Sequence, residues 1–138
     1  MTGVIDIPGD HKVTAYIPGQ ATANTADSWP LLYADADIEI TGVRWIPAAA
    51  VTGNNTNYFS LAVQNKGASG SGTTAITSTK DYLTSTDSVA HDAEDLTLTA
   101  TTANRNVSAG SVVALVRTVT ASGLAQPDGL VEVRFRYR

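Results

Sequence analysis

His11 and His91 are the only two histidines in the chain, so imidazole-based catalysis would have to be built around one of them. A nucleophile needs a base within hydrogen-bond reach and a third group that orients the base. Neither histidine stands beside a nucleophile elbow. Gly67-Ala68-Ser69-Gly70-Ser71-Gly72 misses the G-x-S-x-G spacing that raises a serine on a sharp strand-to-helix turn. Gly70-Ser71-Gly72-Thr73-Thr74-Ala75 fits the permissive dinucleotide spacing. That chemistry requires a helix to open there, so that its first amides meet a pyrophosphate. Thr77-Ser78-Thr79 starts no helix with an apolar stripe, so the stretch is read as an inter-strand loop. His91-Asp92-Ala93-Glu94-Asp95 gathers metal-ligand types, and Asp35, Asp37 and Glu39 offer hard oxygens of the kind calcium takes. Neither group has EF-hand spacing or a second histidine four residues on. A solvated turn and the wet face of a strand are expected instead. No catalytic, cofactor or metal site is assigned, and the chain is expected not to be an enzyme.

Parity points elsewhere. Residues 129–138 alternate to the last position: Val131, Val133, Phe135 and Tyr137 share one face, and Glu132, Arg134, Arg136 and Arg138 the other. A period of two marks a strand with one buried face. Asp35, Asp37 and Glu39 form an acidic row opposite Ile38 and Ile40. If the two strands are neighbours, the rows meet as cross-strand ion pairs that fix register. The alternative is that Arg134, Arg136 and Arg138 face an acidic partner. Trp45 falls on a core parity. Trp29, ahead of Pro30, is expected to close one end of the fold, or else to plug into a partner or stack on a sugar. Trp29, Arg134, Arg136 and Arg138 are therefore the candidate partner contacts.

These side chains need strands to hold them. Residues 12–18 alternate and are stopped by Pro18-Gly19. Residues 19–28 are small and polar, as in a loop or arm. Residues 35–47 make a longer strand with a phase change: Ile38 and Ile40 share one parity, Val43 and Trp45 the other. A β-bulge is placed at Gly42 between them. Residues 51–57 are turn-like around Gly53-Asn54-Asn55, and 58–65 form a strand with Phe59, Leu61 and Val63 inward. A Gly/Ser loop follows, then a short edge strand within 73–79. Residues 81–92 carry no readable pattern. Leu96, Leu98 and Ala100 alternate with threonines. Residues 111–119 are almost continuously apolar, which predicts cover on both faces. A Gly/Pro turn then feeds the final strand. About seven or eight strands at 8–12-residue spacing predict an all-β antiparallel two-sheet sandwich, jelly-roll-like first and Ig-like second. The expected division is an arm and first strand in residues 1–28 and one sandwich domain in 29–138.

Composition agrees with this. The 138 residues fit one domain large enough for a core. There is no cysteine to staple or to ligate zinc. The net charge of -4 and the lack of a basic stripe give no footprint for nucleic acid. No run approaches the roughly 20 apolar residues of a membrane helix, and the first residues lack a secretory pattern, so a soluble protein is expected. Only 16% of residues are charged. Threonine-rich wet faces suit strands, and such low charge fits an exterior partly covered by copies or a partner.

Several phrases, taken in order, resemble a known group. They are Asn57-Tyr58-Phe59-Ser60-Leu61-Ala62-Val63-Gln64-Asn65-Lys66-Gly67, then Gly70-Ser71-Gly72-Thr73-Thr74, then Leu96-Thr97-Leu98-Thr99. Val107-Ser108-Ala109-Gly110-Ser111-Val112-Val113-Ala114-Leu115 and Gly123-Leu124-Ala125-Gln126-Pro127-Asp128-Gly129-Leu130-Val131-Glu132-Val133 follow. The succession is similar to small Ala/Thr-rich virion structural proteins of tailed bacteriophages. Ser111 stands where that phrase carries Asp. The resemblance implies a β-sandwich decoration protein that cements the outside of the head. It further implies binding to the major capsid protein, assembly in the bacterial host cytoplasm, homotrimers on threefold axes and an N-terminal arm that holds the shell. It brings no catalytic residues and no cofactor. The alternative reading is a carbohydrate-binding module or fibre tip, with Trp29, Tyr33, Tyr58 and Tyr82 as its candidate aromatics.

Overall fold

The alternating C-terminal residues form the centre of a sheet. In the computed structural model, which describes residues 9–138, β10 (Gly129–Tyr137) lies between β1 (His11–Ile17) and β3 (Ile38–Pro47). β7 (Glu94–Asp95) and β8 (Asn106–Val107) both pair with the far side of β3. The second sheet repeats this plan. β9 (Val112–Thr120) lies between β2 (Asp27–Tyr33) and β4 (Tyr58–Gly67), and β5 (Thr74–Ala75) and β6 (Lys80–Asp81) pair with the far side of β4. Every pairing is antiparallel.

The pairs β1 with β10, β2 with β9, β3 with β7 and β8, and β4 with β5 and β6 are the rungs of one long antiparallel hairpin. Rolled up, alternate rungs fall into opposite sheets. That is jelly-roll winding, and the fold is an all-β sandwich of the first expected kind. Residues 94–99 join the two sheets at one side. Leu96 N–H donates to Val43 O at 2.9 Å in the first sheet, and Ser78 N–H donates to Thr97 O at 2.8 Å in the second. Leu96 is buried as its parity requires, yet the expected strand is shortened because the segment changes sheets midway.

The bulge lies where the parity switch places it. Arg134 opposes Gly42 and Phe135 opposes Ile40, so Thr41 is the extra residue on β3. Ile38, Ile40, Val43 and Trp45 consequently all face inward and are buried. Between the sheets they meet Phe59, Leu61, Val63, Val113, Leu115, Val131 and Val133. β9 departs from expectation. On its inward face Val113, Leu115 and Arg117 are buried and Val119 half-covered, whereas on the outer face only Ala114 is buried, Val112 and Val116 are half-covered, and Thr118 is exposed.

Residues 1–8 of the expected arm lie outside the described residues. The remainder of 1–28 contains the whole of β1 and the start of β2, so the boundary at 28/29 falls inside β2. β2 itself includes Trp29 and Pro30. Proline is tolerated there because β2 is an edge strand, and the register against β9 shifts between Pro30 and Leu32.

Candidate functional site

The arginine row lies on the outer face of the first sheet, and the register explains its pairing. Arg136 opposes Glu39 in the ladder, and its Nε and Nη2 reach Glu39 Oε1 at 2.7 and 2.6 Å. Arg134 faces Gly42, which offers no side chain. It turns along its own strand instead, and its Nε donates to Glu132 Oε1 at 2.9 Å. That hydrogen bond, with smaller help from Lys12 and Arg44, holds the Glu132 carboxyl below the ordinary carboxylate range. Arg138 meets Asp37 through the backbone, N–H to O at 3.0 Å. The Asp37 carboxylate is taken by Ala109 N–H at 2.9 Å. Asp35 precedes β3 and is exposed. One of the expected cross-strand ion pairs therefore forms.

This pair is partly exposed, with the side chains 59% and 16% accessible, so its coupling is modest. Arg136→Glu and Glu39→Arg are each expected to cost under about 1 kcal/mol, and the double swap to recover most of it. The same cycle on Arg134 and Asp37 should show no coupling. Urea unfolding of the four proteins in each cycle reads both, and coupling between Arg134 and Asp37 would contradict the observed register.

Beside the row, the bulge leaves a hollow of about 360 Å³ lined by Thr41, Gly42, Arg44, Leu98 and Arg134 among others. Its rim carries a second ion pair, Arg44 Nε to Asp95 Oδ1 at 3.0 Å. Trp29 is on the other sheet. It opposes Leu115, is half-buried and packs on the core. The structure thus groups Arg134 with Arg44 at the hollow, places Arg136 further along the same face against Glu39, and does not bring Trp29 to them.

The other chemical candidates disperse. Asp95 is paired with Arg44, Glu94 with Lys80 at 3.1 Å, and Asp81 accepts from Ser60 Oγ at 2.6 Å. Among the described residues no group of three or more His, Asp or Glu side chains gathers in metal-binding geometry. His11 stacks on Phe135 near the start of β1, and His91 N–H donates to Pro47 O near the opposite end of the first sheet. The aromatics do not form one platform. Tyr82 is buried, and Tyr33 and Tyr58 sit beside opposite ends of β9, about 27 Å apart at strand spacing.

Two buried polar groups had gone unassigned. Arg117 is fully buried in β9. Its Nε donates to Thr25 O at 2.9 Å, and its Nη2 to Ala23 O at 2.8 Å and Leu124 O at 2.7 Å. The guanidinium carbon lies 4.5 Å from the Phe59 ring centroid. Burial lowers its pKa, and the charge of Asp27 opposes that shift. The signal was present in sequence as a lone charge at the inward parity of an apolar run. The second group is a chain in which Trp45 Nε1–H donates to Tyr82 Oη at 3.0 Å and Tyr82 Oη shares a hydrogen bond with Ser88 Oγ at 2.7 Å.

No protein-family model matches the sequence, and no curated protein matches it. Among solved structures, the chain is similar to one described as the structure of infectious bursal disease virus Gx strain. The TM-score is 0.46 and the identity 10%, over 93% of this chain and 32% of that one. The chain thus spans about a third of the length of that neighbour.

Proposed function

We propose that the chain is a non-enzymatic virion structural protein, a decoration protein that binds the major capsid protein on the outside of a tailed-phage head as a homo-oligomer. One observation supports this best. The phrases that carry the resemblance fall on strands and turns of a single jelly roll. The first is β4, the second the loop into β5, and the third the segment that joins the sheets. The fourth runs from β8 through the Ala109-Gly110 turn into β9, and the fifth is the turn into β10. A rigid sandwich of this kind cements a shell by burying surface across capsomer junctions. Interfaces of about 1,600 Å² suffice, multiplied by symmetry.

The test is co-sedimentation of the protein with expanded capsid shells, together with the melting temperature of those shells. Binding with a raised melting temperature is expected. Removal of residues 1–8 should abolish binding and leave the fold intact. A cut at residue 28 would be uninformative, because it removes β1 from its ladder with β10. Protein that ignores the shells would overturn the reading.

A further inference from the structure

The two outer faces of the sandwich are built differently. On the first sheet the outward side chains include Lys12, Glu39, Arg44, Glu132, Arg134 and Arg136, a mixture of charges that suits water. On the second sheet the outward positions of β2, β9 and β4 hold one charge, Lys66, near the end of β4, where its Nζ donates to Gln64 Oε1 at 3.0 Å. Asp81, on the short flanking strand β6, accepts from Ser60 Oγ. Everything between is uncharged and mostly small. A strand with one wet face carries polar residues outward, yet β9 carries Val112, Ala114 and Val116 there, and both valines are half-covered. Loss of charge, more than gain of apolar area, marks the core of a protein interface. Among the described residues no further strand packs over this face. Residues 1–8 precede β1, a strand of the other sheet.

We propose that the outer face of the second sheet packs on the same face of a second copy, across a two-fold axis that runs along β9. The occupant is argued from the face itself. β9 then lies over β9, and β2 over β4 of the copy. Each cross-strand row meets itself reversed. In the row Ser28, Val116 and Ala62, the serine faces the alanine and the valine its own copy. In the row Pro30, Ala114 and Gln64, the proline faces the glutamine. The half-covered valines cover one another. Tyr33 opposes Val112 at the end of β2 and so falls against Lys66 of the copy. Its ring is 67% exposed in the single chain, and cation and ring attract. No like charges meet, as an isologous contact requires. Sheets packed in this way lie about 10 Å apart. The nine residues of β9 and four strand widths give a face of about 30 by 19 Å. That is the footprint of a standard interface, which buries about 800 Å² on each partner. This contact gives the homo-oligomer of the decoration reading its surface and rests on that reading in no other respect. The unit so made is a dimer. A threefold assembly, as the resemblance implies, would use another surface.

Thr118 lies on β9 and is exposed in the single chain, so a substitution there spares the core and still falls on the axis. T118K sets two cations against each other. Light scattering and sedimentation of the free full-length protein should give twice the chain mass for the natural sequence. T118K should raise the dissociation constant by about tenfold or more, with an unchanged far-ultraviolet circular dichroism spectrum. Mixing T118K with T118E should restore the dimer, since opposite charges then meet at the axis. T14K, the same change at an exposed position on the outer face of the other sheet, should leave the dimer as it was, and so should removal of residues 1–8. A natural protein that is monomeric at all concentrations, a trimer, or a T118K dimer of unchanged strength would each overturn the proposal. So would a dimer lost with residues 1–8, or a monomer in which T118K abolishes shell binding, which would give the face to the capsid protein instead. The mass of the free protein is read without shells, so failure of this contact and failure of the decoration reading are separate results.

Discussion

Arg117→Ala is expected to destabilise the fold by about 3–5 kcal/mol, the largest single-residue effect foreseen for this chain. Three carbonyls, of Ala23, Thr25 and Leu124, accept from the buried guanidinium. Truncation would leave them without donors and open a void beside Phe59. Their position magnifies the effect. Residues 18–26 carry the chain from the first sheet to the second, and residues 121–128 carry it back. The two crossings touch through the Gln20–Gln126 bridge, with both backbone hydrogen bonds at 2.9 Å. Gly123 approaches so closely that a Cβ there would lie 2.0 Å from Ala23 O. Arg117 is the side chain that clamps both crossings to the second sheet. Arg117→Lys should recover less than half of the loss, because an ammonium on a thinner stem cannot present the same planar fork to three acceptors. Guanidinium unfolding reads the stability, and the melting temperature of the alanine variant should fall by roughly 10–20 °C. A loss below about 1 kcal/mol would mean that the crossings hold without the clamp.

That clamp was hard to see in the sequence, although strand parity was highly visible. β10, β4 and the bulged β3 were legible because each has one face in the core, and a period-two pattern survives wherever that holds. Even the phase change at Gly42 carried its own explanation. β2 was blurred because Pro30 and the shift at Leu31 break its alternation. Residues 81–92 were opaque for another reason. They are held by isolated contacts, not by a periodic face: Tyr82 alone is anchored in the core, and Gly53 N–H donates to Asp87 Oδ1 and Thr84 N–H to Asn55 Oδ1, at 2.8 and 2.9 Å. Such bonds join distant turns and leave no local spacing. Partner contacts were harder again. The arginine row was found, but whether each arginine meets an acid depended on a one-residue insertion at Thr41, which shifts the ladder beside Arg134.

Alkaline pH is expected to unlock the fold through Tyr82. The phenol is fully buried against Phe59, with ring centroids 4.5 Å apart. Burial pushes its pKa from 10.0 up to about 12, and Glu94 adds to the rise. Hydrogen bonds with Ser88 and Trp45 pull the other way and are outweighed. The sign follows from which state keeps the proton. Below pH 10 folded and unfolded chains both hold it, and the stabilisation from the neutral phenol is complete. Between pH 10 and about 12 the unfolded tyrosine ionises and the folded one does not. Unfolding then releases a proton, and stability falls with rising pH. The loss over that window is roughly 2–3 kcal/mol. Tyrosinate absorbance should show Tyr82 ionising late, together with loss of the native signal; Tyr16, raised by its hydrogen bond with Asp128, is also delayed but stands on the surface strand β1. Tyr82→Phe removes this slope. Near neutral pH it also costs about 1–3 kcal/mol, because the Trp45 N–H and the Ser88 hydroxyl lose a buried partner. The two effects act in opposite directions, and only the first depends on pH. The natural protein should be the more stable at neutral pH, and the gap should narrow as pH rises through 10 to 12. A gap that stays constant across the window would show that Tyr82 ionises at its ordinary pKa and that its burial does not resist the charge.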